Sequence, residues 1–346
     1  MGAGPMLPIE FVNRRAPENL VDSDNHLFSH EYVRKLEAVT ATRLQSVTVL
    51  PNGYVMGKYL PLRQGFSPGL SRLRYARNSL RAAAQLLRRR SAPSFLERGI
   101  FVTDEFSNGF FHWVCDVLPR VEVLSTDLPD ELRSRTPVIP RMAHFPYVDE
   151  SLRAFGTKDA MIVTDGNSLR CGDLLVLPAI APTGNYRPAT MDRLRTRFRR
   201  HFGAQAPSRR IFISRARAPK RRIAHEDSLQ PVLDRFGFER VVLEELSLAD
   251  QVRLVGSAAI LGGGHGAGLA HMCWMAAGTR VLELRRAGDA ENNCYFSLAS
   301  ALDIGYSYLL CDGENPKSDT HSGDIVVRPE KLERALAAMC GHPGAS

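Results

Sequence analysis

Residues 258–269 read Ala258-Ala259-Ile260-Leu261-Gly262-Gly263-Gly264-His265-Gly266-Ala267-Gly268-Leu269: a buried strand, a glycine-rich turn and the start of a helix. Glycines at such a junction let backbone amides approach an anion with no Cβ in the way. The first amides of the following helix are unpaired and carry partial positive charge, so a phosphate fits there. No Gly-Lys-Ser/Thr follows, which excludes a P-loop. The run also does not open the first βαβ unit of a domain, as a dinucleotide fingerprint would. Taken alone it supports two readings equally, a phosphate cradle and a tight packing turn.

The segments on either side decide the fold. Arg210–Ile213 reads as a strand, Asp227–Phe236 as a helix and Arg240–Leu243 as a strand. Ser247 caps a helix, with Asp250 three residues on in the manner of a capping box. Beyond the glycines, Leu269–Ala276 reads as a helix and Arg280–Leu284 as a strand. Short β-branched strands alternating with helices predict an α/β fold, with a parallel sheet covered on both faces. Parallel strands end on one edge, and ligands bind outside their carboxyl ends. Ser214 and Arg215, which follow Ile213, should therefore face the same crevice as the glycine loop. A guanidinium and helix-start amides together hold a diphosphate and stabilise it as a leaving group. Glu283 ends its strand on that edge, either to accept ribose hydroxyls or as an ordinary exposed acid.

The first half is less regular. Val47–Leu50 and Tyr54–Met56 flank Pro51-Asn52-Gly53, a hairpin signal. Residues 70–90 predict a helix with Leu70, Leu73, Leu80, Ala84 and Leu87 on one face and arginines largely off it. Ile100–Val102, Pro137–Ile139 and Leu174–Leu177 read as buried strands, and Phe110–Leu124 as an apolar helix interrupted at Pro119. Met191–His201 is a basic helix, followed by Gly203–Pro207 as a candidate linker. A chain of 346 residues is expected to split into two domains. The expected division is 1–205, then 206–315, then a tail from 316 to 346 that carries a helix at Pro329–Met339.

The formal charge is +8, from 45 Lys and Arg against 37 Asp and Glu. This suits phosphate-rich partners: nucleic acid, an anionic membrane or a diphosphate substrate. No RRM, KH, zinc-finger or helix-turn-helix pattern is present, and the arginines are not interleaved with stacking aromatics. The sequence therefore argues against nucleic acid. The six cysteines have no CxxC spacing and sit in apolar surroundings, as reduced thiols do. The opening residues carry no leader pattern, and no apolar run approaches the ~20 residues of a membrane span. The expectation is a cytoplasmic protein. The basic 70–90 segment is either a peripheral contact with an anionic membrane or a helix packed by its leucines.

Two further motifs fail on physical grounds. Gly65-Phe66-Ser67-Pro68-Gly69 matches GxSxG, but the oxyanion hole of such enzymes uses the N–H after the serine, and Pro68 has none. Asp22-Ser23-Asp24 spells DxD, but lies in a polar segment and not after a buried strand.

Several blocks together resemble one family. They are Arg210-Ile211-Phe212-Ile213-Ser214-Arg215, Arg221-Arg222-Ile223 with Glu226, Gly237-Phe238, Glu244, Gln251, Gly264–Leu269 and Val281-Leu282-Glu283. An earlier block is Asn108-Gly109-Phe110-Phe111-His112-Trp113 with Asp116-Val117-Leu118-Pro119-Arg120. Their order and content resemble the family 61 glycosyltransferases. The resemblance implies a GT-B fold of two Rossmann-like domains, the acceptor half first and the donor half second. It also implies an inverting transfer from a nucleotide sugar, with no metal or other cofactor. The acceptor would be a saccharide or lipid-linked saccharide, as in the bacterial branch that serves capsular and other surface polysaccharide synthesis. Donor contacts fall to Ser214, Arg215, Gly264, His265, Gly266, Ala267, Gly268 and Glu283, with Asn108, Arg120 and Glu244 in support. One departure stands out: His271 occupies a place where many relatives have Asn.

An inverting transferase needs a base for the acceptor hydroxyl. His112 and Asp116 share a helix face. One of the two takes the proton and the other orients it; the sequence does not say which. The competing functions are a non-catalytic glycosyltransferase-like assembly partner and a basic nucleic-acid-binding protein.

Overall fold

A computed structural model describes residues 5–58, 61, 62, 73, 76–78, 80, 81, 84 and 93–340. The Gly65–Gly69 motif and most of the 70–90 segment lie outside the described residues. Those of the segment that are described are helical, and there Leu73 and Leu80 are exposed and not packed (83% and 74%). Among the described residues no helix is long and apolar enough to cross a membrane. All six cysteines are free thiols, most of them buried.

The chain forms two α/β units. The first comprises Met1–Phe11 and Lys35–Thr190, and the second Val12–Arg34 and Met191–Ser346. Strands β1 (Glu10–Asn13) and β2 (Val33–Leu36) pair as a ribbon where the chain leaves the first unit and returns to it.

In the first unit, β3 (Thr42–Val49) and β4 (Val55–Met56) form the expected antiparallel hairpin, with Gly53 turning at φ +83°. Then follow β5 (Ser94–Phe101), β6 (Thr136–Pro140), β7 (Met161–Val163) and β8 (Leu169–Val176). The sheet order is β4-β3-β8-β5-β6-β7, parallel from β8 to β7 and antiparallel at β3 and β4. Val47, Val49, Phe101, Val138, Leu174 and Val176 fill one core.

The second unit carries β9 (Arg209–Ile213), β10 (Ile223–Ala224), β11 (Phe238–Val241), β12 (Ala258–Gly264), β13 (Arg280–Arg286), β14 (Gly305–Gly313) and β15 (Ile325–Val326). Their order is β10-β15-β14-β13-β12-β9-β11. The run from β11 to β14 is parallel throughout, as the alternation predicts. Ser247 caps the helix Leu248–Gly256 by accepting from the Asp250 amide at 3.1 Å.

The boundaries differ from the sequence expectation in three places, each for a packing reason. The division falls at 190/191 and not near 205, because the helix Pro188–Phe202 is anchored in the second unit. Its Phe198 stacks on Trp274 at 4.5 Å, and Arg199 donates to the Gly256 and Trp274 carbonyls. Val12–Arg34 also belongs there: Asn19 exchanges hydrogen bonds with the backbone of Tyr308, and Phe28 packs on Phe296, Tyr306 and Tyr308. Within this segment Asp22–Leu27 is a short 3-10 turn, in which Asp24 accepts from the Tyr308 hydroxyl. The region after 315 is no separate tail. β15 joins the sheet, and Leu332, Leu336 and Met339 of the helix Pro329–Cys340 complete the core around Phe212 and Leu282.

Candidate active site

In the parallel part of the second sheet the order reverses between β9 and β12, since β11 lies on one side of β9 while β12, β13 and β14 follow on the other. Such a switch point opens a crevice outside the carboxyl ends of the strands. Ile213 of β9 lies beside Gly263 of β12, so the two strands deliver Ser214-Arg215 and Gly264-His265 to the same place.

The glycines there are explained by side chains of β9. A Cβ on Gly262 would press on Phe212 at 3.2 Å, and one on Gly263 or Gly268 on Ile213 at 3.3 and 2.9 Å. A Cβ on Gly264 would come within 2.9 Å of the Arg215 Cδ, and one on Gly266 within 1.9 Å of its Nη1. The run is therefore a packing device that lays the Arg215 side chain across the turn. It is also a helix start. The first turn of the 3-10 helix Ala267–Trp274 is closed by Leu269 N–H to the Gly266 carbonyl, so the amides of Ala267 and Gly268 come before any helical bond. The packing reading of the loop holds.

From Arg215 the chain arches over the sheet edge to β10. Arg215 Nε and Nη2 donate to the carbonyls of Arg221 and Lys220 at 2.6 and 2.8 Å, which leaves Nη1 at Gly266. Glu226 braces the start of the arch, accepting from the Ser214 hydroxyl and from the Arg215 amide. Arg221 and His225 both adopt left-handed backbone, at φ +56° and +53°. That conformation costs a non-glycine residue energy and clusters at binding sites.

In this unit Arg209, Arg217, Arg222, Arg235, Arg240, Arg253 and Arg328 each pair with a carboxylate. Arg199, Arg210 and Arg285 lack carboxylate partners among the described residues and are instead held mainly by backbone carbonyls; what marks the crevice is that its unpaired arginines lie together at the strand ends. Arg215, Arg221 and Arg286 pair with none among the described residues, although Arg215 is only 9% exposed. Burial holds the Arg215 guanidinium below its usual pKa, and the neighbouring Arg221 adds to that. Concentrated positive charge of this kind is incomplete without an anion. Beside it, Ser214, Ala216, Arg222, His225, Arg240 and Val242 border a cavity of about 590 Å³ at the ends of β9 and β11. Glu244 is exposed just past β11, where its charge acts on Arg215 without pairing.

Glu283 does not fit the ribose-accepting role. It is 0% exposed, and its carboxylate oxygens are taken by His265 Nδ1 and by the Tyr306 hydroxyl. His265 itself stays at the surface of the crevice, its ring edge-on to Tyr295 at 5.0 Å. His271, deeper in the helix, lies 2.8 Å from the Gly268 carbonyl and 2.9 Å from Gln251, which in turn donates to Leu243 and Leu246. Burial pushes the His271 pKa down to about 4, so the ring is neutral and its single N–H can donate to only one of the Gly268 and Gln251 oxygens.

In the first unit, the helical stretch Phe110–Asp127 contains a π turn at Trp113–Val117, where Leu118 N–H bonds to the Trp113 carbonyl. Pro119 lacks an N–H and its ring crowds the carbonyl four residues earlier, so the disturbance falls in the turn before it. The turn keeps His112 and Asp116 together: Nδ1 lies 2.8 Å from the Asp116 Oδ2, which also accepts from Thr183 at 3.0 Å. Phe106 stacks on the imidazole at 5.5 Å. The free edge of the ring, Nε2, faces away from Asp116. Arg120 is buried, bound to Asp104 and to the Val102 carbonyl, and Asp104 in turn shapes the loop at Phe106 and Ser107. Asn108 is exposed at the end of that loop.

The profile of the family Glycosyltransferase 61 matches residues 110–282, half of the chain. The chain belongs to this family. A curated relative, the EGF domain-specific O-linked N-acetylglucosamine transferase of Drosophila melanogaster, is 30% identical over 129 residues. The match covers 34% of this chain and 24% of that protein, so the chain spans about a quarter of its relative's length. The matched span begins just before His112 and Asp116, runs through Arg215 and the glycine loop, and stops one residue short of Glu283.

The sequence reading of this family 61 chain missed four contributors: Glu226 as the brace of Arg215, Thr183 on Asp116, and the unpaired Arg221 and Arg286. Glu226 and Arg221 stood among the residues that carried the resemblance. Thr183 and Arg286 had no signal, because only the fold brings them to their partners.

Proposed function

We propose that this family 61 chain is an inverting, nucleotide-sugar-dependent glycosyltransferase of the two-domain GT-B type, with its donor in the second unit. The observation that carries this reading is the set of three guanidiniums without carboxylate partners, Arg215, Arg221 and Arg286, gathered at the ends of parallel strands. A diphosphate supplies the missing negative charge, and the amides of Ala267 and Gly268 add donors. The neighbouring cavity of about 590 Å³ is of a size to take the nucleoside. Glu244, with its carboxylate exposed at the same edge, is better placed for a ribose hydroxyl than Glu283.

His112 is the base in this reading, and Asp116 orients it. The carboxylate fixes Nδ1–H, so Nε2 is the acceptor of the proton. The acceptor hydroxyl oxygen bonds to the sugar C1 and its proton passes to Nε2. The C1–O bond to the diphosphate breaks, and its electron pair leaves with the phosphate oxygen. The arginines carry the charge that develops, so the scheme needs no metal.

The acceptor is a saccharide or lipid-linked saccharide of surface-polysaccharide synthesis. The exposed Leu73 and Leu80, with Arg77 and Arg81 beside them in the chain, are suited to an anionic lipid surface on the cytoplasmic side. The Drosophila relative adds N-acetylglucosamine to the donors, and an EGF-domain hydroxyl to the acceptors, worth testing. The test is a melting-temperature screen against UDP, GDP, CMP and dTDP sugars, followed by a hydrolysis and transfer assay with any sugar that stabilises the protein. Stabilisation followed by turnover supports the reading. A protein that binds one of these donors but never turns it over is an assembly partner and no enzyme.

A further inference from the structure

Beneath the basic crevice lies a carboxylate that the scheme above does not use. Glu283 is fully buried, with Oε1 at His265 Nδ1 and Oε2 accepting from the Tyr306 hydroxyl. Burial alone would raise its pKa, but the charge and hydrogen bond of His265, with Arg285 and Tyr306, outweigh this and hold it below the usual carboxylate range. Glu283 is thus ionised, and it fixes the tautomer of His265: Nδ1 carries a hydrogen towards the carboxylate, and Nε2 points the other way. His265 also borders a narrow gap of about 10 Å³ together with Arg221, Arg286, Asp289 and Thr320. Among the described residues Nε2 has no hydrogen-bond partner.

We propose that Glu283 is a positioning residue that holds His265 so that Nε2–H donates to the phosphate oxygen from which the sugar departs. The inference rests on the placement of the diphosphate at these strand ends. As the C1–O bond breaks, its electron pair goes to that oxygen, and the protonated imidazole donates a charge-assisted hydrogen bond to it. The proton stays on the ring until the diphosphate leaves. The charged or titratable groups around His265 are Glu283 on β13, Tyr306 on β14 behind it, Tyr295 at the ring edge, Arg221 before β10, Arg215 across the glycine turn, and Arg286 and Asp289 after β13. Of these only Glu283 touches Nδ1, so Nε2 is the ring edge left to meet an incoming diphosphate.

The test is calorimetric titration of inorganic pyrophosphate into the full-length protein at about pH 8, in buffers of different ionisation enthalpy. The ionisation of pyrophosphate itself cancels between wild type and variant. Wild type is expected to take up a proton on binding. His265→Gln, which offers an amide donor that cannot titrate, should bind about tenfold more weakly and lose that uptake. Glu283→Gln, which still accepts from Nδ1–H but has no charge, should lose the uptake too, a change that a purely structural role would not produce. Should Glu283→Gln fail to fold, His265→Gln decides. Unchanged proton uptake in His265→Gln, with binding abolished in Arg215→Ala, overturns the inference and leaves the diphosphate site standing. A folded wild type that does not bind pyrophosphate overturns both.

Discussion

Nη1 of Arg215 lies 1.9 Å from the point where a β-carbon would stand on residue 266, so the guanidinium occupies the space that a side chain at Gly266 would need. The glycine and the arginine form one device: the turn is bare so that the charge can cross it.

Gly266→Ala should therefore act as an arginine mutation. The added methyl displaces the guanidinium, and kcat/KM is expected to fall by roughly a hundredfold, on the scale of losing one transition-state donor. Because both changes remove the same contact, Arg215→Ala with Gly266→Ala should be no worse than Arg215→Ala alone. Steady-state kinetics of the single and double variants check this. Additive losses would mean that the two residues act separately.

His112→Ala should lower kcat by about 10²–10⁴ while leaving donor affinity unchanged, as removal of a general base does. Asp116→Asn should cost less, because the amide oxygen still accepts from Nδ1–H and Thr183 can still donate. Single-turnover rates set beside donor titrations separate the two steps. An Asp116→Asn defect larger than that of His112→Ala would exchange the two roles.

The second unit should be acid-sensitive through His271. Its folded pKa, about 4, lies below the unfolded value, 6.5, so the unfolded chain binds the extra proton first. The contribution is intact above about pH 6.5 and is lost progressively as pH falls to about 4, a total of about 3 kcal/mol. His271→Asn removes the titrating group, so its melting temperature should vary less with pH over that interval than that of wild type. Parallel pH curves for the two proteins would rule out His271 as the cause.

What the sequence made legible is what is local or periodic. Four strands of the second sheet, β9, β11, β12 and β13, could be read because β-branched runs alternate with helices, whereas β10, β14 and β15 could not; the convergence of Arg215 with the glycine loop followed from parallel topology alone. The unit boundary could not be read. It depends on Asn19 meeting Tyr308 and on Phe198 meeting Trp274, contacts made between segments far apart in the chain. Glu283 was misread for the same reason: a strand-end acid looks exposed until Tyr306 from the next strand and His265 from the previous one close over it. At Pro119 the sequence showed an interruption, and the backbone answered with a wider turn that keeps His112 and Asp116 on one face.

The account stands on the crevice arginines holding a diphosphate. The most direct measurement is the affinity of a nucleoside diphosphate for wild type, Arg215→Ala and Arg209→Ala, since Arg209 carries the same charge but is paired with Glu239. Arg215→Ala should bind about a hundredfold more weakly while Arg209→Ala binds as wild type does. Equal affinity in all three proteins would contradict the account.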